Sequence, residues 1–147
     1  MIKGNFIVIL LLVLLVMLGC TENSIFELQE HDIPNYHPSA EDVVNMHGNI
    51  ENIERFMEFL NNVEKGQKDN IKIVSYTEEG DPILQELLFN GEVITSISDT
   101  RRDKFGAGSI NEFTCISIKS VDSAERTDYM LEGCENTIDN VILVTWK

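Results

Sequence analysis

Between Ile50 and Val63, seven apolar residues (Ile50, Ile53, Phe56, Met57, Phe59, Leu60 and Val63) recur at the spacing of one helical face. Glu51, Glu54, Arg55, Glu58 and Asn62 hold the opposite side. An apolar face this wide has to cover something. Asn49 offers a start, and Lys65-Gly66 supplies a basic last turn followed by a capping glycine. Just upstream, Ser39-Ala40-Glu41-Asp42 has the serine-then-acid spacing of another helix start, with Val43, Val44, Met46 and His47 at helical spacing until Gly48. The pattern predicts an N-terminal helix or helix pair.

The residues after Gly66 read as the sheet that such a helix would cover. Ile71 to Thr77 alternates, Glu78-Glu79-Gly80-Asp81-Pro82 turns, and Ile83 to Phe89 runs back. Asn90-Gly91 is a two-residue type I′ hairpin signal, so Glu92 to Ser98 is expected to pair Phe89 with Glu92, Leu87 with Ile94 and Ile83 with Ser98. Across the first turn, Thr77 then lies opposite Ile83 and Ile71 opposite Phe89. Phe113–Lys119, Thr127–Gly133 and Val141–Trp146 read as three further strands. The expected fold is one α+β domain over residues 39–147, its N-terminal helix or helix pair packed on a mostly antiparallel sheet of about five to six strands.

The N-terminal part has a different character. Phe6 to Leu18 is an unbroken apolar run preceded by Lys3 and followed by Gly19-Cys20. Thirteen residues make about 20 Å of helix, short of the roughly 30 Å a bilayer core requires, so the run reads as a cleavable leader over residues 1–19. Its end resembles the lipobox of bacterial lipoproteins, which implies that Cys20 becomes a lipidated N-terminus at the outer face of the plasma membrane. Residues 20–38, with Pro34 and Pro38, then form the lipidated cysteine and a tether. Without the leader the chain keeps 10 basic against 25 acidic side chains, a net charge of −15. Such a surface disfavours nucleic acid and repels anionic headgroups, so membrane attachment is expected from acyl chains alone. In an exported chain the two other cysteines, Cys115 and Cys134, are expected to form a disulfide. One register of a hairpin between Phe113–Lys119 and Thr127–Gly133 sets them opposite each other.

The expected pairing puts Ile71, Ile73, Leu87, Phe89 and Ile94 on one face, giving way to Ser75, Gln85, Ser96 and Ser98 toward the other end. Two loops meet at that polar end, Glu78–Pro82 and Asp99–Lys104. Arg101, Arg102 and Lys104 concentrate positive charge there beside Glu78, Glu79 and Asp81. Either the cations pair with these acids as exposed ion pairs, or they hold an anionic group on a partner protein or small ligand. The candidate contact surface is Tyr76, Glu78, Asp81, Arg101, Arg102 and Lys104.

Catalytic and metal signatures are missing from the sequence. His31, His37 and His47 lack metal-ligand spacing, and no Gly-x-Ser-x-Gly string occurs. Glu135–Asn140 lacks the pattern of a calcium loop, and Gly106-Ala107-Gly108-Ser109 has no helix pattern behind it to cradle phosphate. No metal, cofactor or catalytic residue is expected. Tyr76-Thr77-Glu78-Glu79-Gly80-Asp81-Pro82-Ile83, Arg102-Asp103-Lys104-Phe105-Gly106, and His47-Gly48 followed by Asn52 resemble a family of small lipoproteins of Gram-positive, Bacillus-type bacteria known only as a domain of unknown function. The resemblance spans Val43 to Cys134 and implies an exported, anchored domain without assigned activity. The leading expectation is a non-enzymatic binding or interaction module. The alternative is a small hydrolase working on cell-wall or extracellular substrate through carboxylates such as Glu78 and Asp81.

Overall fold

The computed structural model describes residues 33–135 and 140–147. Its described part contains nine strands and one helix: β1 (Val43–Met46), β2 (Asn49–Glu51), α1 (Ile53–Glu64), β3 (Asp69–Tyr76), β4 (Pro82–Phe89), β5 (Ile94–Asp99), β6 (Ile110–Cys115), β7 (Ser117–Asp122), β8 (Arg126–Glu132) and β9 (Val141–Trp146). A six-stranded mixed sheet has the order β2-β1-β3-β4-β5-β6, and a three-stranded antiparallel sheet the order β7-β8-β9. The architecture is mostly β. The expected α+β fold, with an N-terminal helix or helix pair on a single sheet, is therefore incorrect.

The error lies at Ser39–Gly48. Asp42 Oδ2 accepts the Ser39 N–H at 2.8 Å, the back-bond of a helix start, yet here it closes a turn. Val43 and Val44, β-branched and suited to a pleated surface, pair in parallel with Ile73 and Val74 of β3. Val43 enters the core and Val44 the opposite face, so spacing that fits a helix is split between two sides of a sheet. His47 and Gly48, both at positive φ, then reverse the chain into β2. Because Asn49–Glu51 is committed to that hairpin, α1 starts only at Ile53. Asn52, in the left-handed region, donates its side-chain amide to the carbonyls of Ala40 and Asp42. Phe56 and Phe59 are fully buried, and the helix stops as expected: Gly66 has φ 67° and Gln67 N–H donates to Asn62 at 2.8 Å.

The β3-β4-β5 meander forms, but each hairpin slips by two residues from the expected pairing. Tyr76 faces Pro82, Ile71 faces Leu87, and Phe89 faces Ile94. The cause at the second turn is Asn90: its Oδ1 accepts the N–H groups of Glu92 and Val93, each at 2.9 Å, and extends the loop to Val93. A slip of two keeps every side chain on its side of the sheet. Ile71, Ile73, Leu87, Phe89 and Ile94 accordingly all reach the core.

Phe113–Lys119, expected as one strand, divides at Ile116 between the two sheets. The Cys115–Cys134 disulfide sits at that division, with Cα atoms 4.0 Å apart. Its register is the expected one, continuing the ladder in which Ser117 faces Glu132. The core runs unbroken from Val43, Phe56, Phe59, Ile73 and Leu87 to Leu131, Ile142 and Leu143. Phe56 of α1 meets Tyr129 of β8 edge-on, ring centroids 5.0 Å apart. On the outer face of the larger sheet, Val44, Val74 and Leu84 form a second cluster with Tyr36 and Tyr76.

Candidate functional site

The two loops of the polar end do come together, through Asp81. Asp81 is buried, 6 % exposed, at the end of a turn closed by the Thr77 N–H to the Asp81 carbonyl at 3.0 Å. Lys104 donates to it twice, from the backbone at 3.0 Å and from Nζ at 2.8 Å. Those bonds hold the Asp81 carboxyl below the usual aspartate range. A general acid needs the opposite shift.

Arg101 and Arg102 turn away from Glu78, Glu79 and Asp81. Both converge on Asp99, the last residue of β5. Arg101 reaches Asp99 Oδ1 and Oδ2 from Nε and Nη2 at 2.8 and 2.9 Å, and Arg102 Nη1 reaches Oδ2 at 2.9 Å. The fork of Arg101, helped by Arg102 against the opposing effect of burial, keeps Asp99 far below the ordinary aspartate value. Glu78 stands exposed, with His47 Nδ1 3.7 Å away. Tyr76 packs into the outer cluster of the sheet. The six candidate residues thus occupy one end of the domain but belong to separate local networks.

A seventh residue links two of them. Tyr36 donates its hydroxyl to Asp42 Oδ2 at 2.6 Å. Lys72 Nζ and the Arg102 guanidinium lie 5.4 and 5.8 Å from its ring centroid. Arg102 Nε also donates to the Pro34 carbonyl at 3.2 Å. Burial and the Asp42 carboxylate raise the Tyr36 pKa. Tyr36, Asp42, Lys72 and Asp99 are not among the candidates that the sequence suggests. Tyr36 lies between two prolines in a stretch that reads as tether, and the separation of 66 residues from Arg102 hides the contact.

Beside Tyr36 a polar cleft of about 460 Å³ is lined by Asp42, Arg55, Lys72 and Glu86. Each of these charges already has a partner inside the protein: Asp42 with Tyr36, Arg55 with Asp69, and Lys72 with Glu86. A second groove, about 650 Å³, lies between α1 and β7 over Met57, Leu60, Phe89, Ile118 and Tyr129. Among the described residues no group of three or more His, Cys, Asp or Glu side chains is placed to hold a metal ion. No described helix is long and apolar enough to cross a membrane. Cys20, the leader and residues 136–139 lie outside the described part.

Residues 40–130 match the family described as Domain of unknown function (DUF4362). The chain belongs to that family. The DUF4362 match takes in β1 through most of β8, including Asp81, Asp99 and the cations bonded to them. Tyr36, Cys134 and β9 fall outside it. No curated protein and no solved structure matches the chain.

Proposed function

We propose that this member of the DUF4362 family is an exported lipoprotein, attached through acyl chains on Cys20 at the outer face of the plasma membrane, whose folded domain serves as a non-enzymatic interaction module. The observation that carries the reading is the joined Cys115–Cys134 pair. A disulfide in so small a domain suits an oxidising compartment, and residues 1–19, ending just before Cys20, read as the leader such a destination requires. The polar end supports a binding role over a catalytic one. Asp81 and Asp99 are engaged by cations, while Glu78, Arg101 and Lys104 keep exposed surface for a partner protein or an anionic ligand.

The test is expression of the full chain in a Gram-positive host fed labelled palmitate. Wild type is expected to carry label and to sediment with membranes. Cys20→Ser should lose the label and appear in the medium or the soluble fraction. A wild-type chain found unlabelled in the cytosol with residues 1–19 still attached overturns the proposal.

A further inference from the structure

The segment between β5 and β6 spends its hydrogen bonds on holding an aromatic ring out in solvent. Thr100 and Ser109 close the base of the loop, Thr100 N–H to Ser109 carbonyl and Ser109 N–H to Thr100 Oγ1, each at 2.9 Å. Asp103 N–H returns to the Thr100 carbonyl at 3.0 Å. Asp103 Oδ1 then accepts the N–H groups of Phe105 and Gly106 at 3.0 and 2.9 Å. With Lys104 pinned twice to Asp81, the tip has little freedom left. The residue it presents, Phe105, is 78 % exposed, the highest value among the large apolar side chains exposed on the described domain. Lys104, its side chain largely exposed although Nζ bonds Asp81, precedes Phe105 in the chain, and Arg101, its side chain partly exposed, lies at the base of the same loop.

The base of the loop touches the first residues of the described domain. Arg102, at its base, bonds the Pro34 carbonyl and lies over the Tyr36 ring, so the loop emerges where the N-terminal chain joins the domain. Thirteen residues separate Cys20 from Pro34 and, even fully extended, reach no more than about 50 Å. We propose that the Lys104–Phe105 loop is the membrane-facing tip of the domain, with Phe105 seated among phospholipid headgroups and Lys104 and Arg101 beside their phosphates. This rests on the lipid anchor proposed above. It does not replace the acyl chains: Asp81 and Asp99 offset the cations, and a chain this acidic is not drawn to anionic lipid unaided. The loop sets which way an already anchored domain faces.

Trp146 is the sole tryptophan. The test is the acylated full chain carrying Phe105→Trp with Trp146→Phe, placed in vesicles containing lipids brominated near the headgroup. A parallel variant keeps Trp146, and the quenching of the parent is subtracted in case Trp146→Phe impairs folding. The expected result is blue-shifted emission from position 105, quenched about twofold or more. Quenching confined to phosphatidylglycerol vesicles assigns the contact to the cations together with the ring; equal quenching in phosphatidylcholine assigns it to the ring. Both support the proposal. A chain that floats with the vesicles while position 105 stays water-exposed and unquenched overturns it and leaves the loop to a protein partner. A wild-type chain that fails to float removes the anchor itself.

Discussion

Asp99 shows what a single carboxylate can organise: one side chain, only 15 % exposed, collects two guanidinium groups that would otherwise repel each other. Its depressed pKa fixes the sign of its contribution. The stabilisation is complete above the ordinary aspartate range near pH ~4 and is lost as pH falls through the lower folded value. Asp69 behaves in the same direction, burial being outweighed by its bonds from Arg55 and Asn62. Asp99→Asn is expected to lower stability by about 1–2 kcal/mol at neutral pH. Urea midpoints of variant and wild type should converge as the pH drops below about 4. Equal midpoints at pH 7 would show that the arginines gain nothing from it. Charge composition makes the Lys104–Asp81 pair readable. The choice of Asp99 by both arginines is not, because it depends on where β5 ends and how the following turn bends.

At the scale of elements, the disulfide stands where the chain passes from one sheet to the other. Ile116 N–H donates to Glu132 and Glu135 N–H to Thr114, so the ladder carries across the division beside the sulfur atoms. Replacing both cysteines, Cys115→Ser with Cys134→Ser, should cost roughly 3 kcal/mol for a separation of 19 residues. Hydrogen exchange should quicken in β7–β9 more than in β3–β5. A uniform increase would mean that the bridge does not specifically secure the smaller sheet. The cysteine pairing is legible because one register of the hairpin sets Cys115 opposite Cys134, although period-two geometry alone does not exclude a slip of two. The same arithmetic explains why the meander's buried face is correctly expected although the pairing across both of its turns is not. The false helix at Ser39–Gly48 has the opposite cause: four residues with helical spacing say little when a parallel neighbour, β3, lies 30 residues away. No local signal marks that partner.

For the molecule as a whole, the helix decides whether two sheets behave as one body. Phe56 and Phe59 are fully enclosed in a cluster fed by both, and Tyr129 of the smaller sheet closes on Phe56. Unfolding of the domain should therefore be a single event. Far-UV circular dichroism, dominated by the larger sheet, and fluorescence of Trp146 on β9 are expected to give coincident denaturation curves. Phe56→Ala should move both together by about 3–5 kcal/mol. Separate transitions would show that the sheets are independent units. The Tyr36 seat bears on the domain in another way. Traction arriving along the backbone from the N-terminal side meets the clasp of Asp42, Lys72 and Arg102 before it meets β1. The load then spreads sideways into β3 and the β5–β6 turn, sparing the edge hairpin from being unzipped one bond at a time.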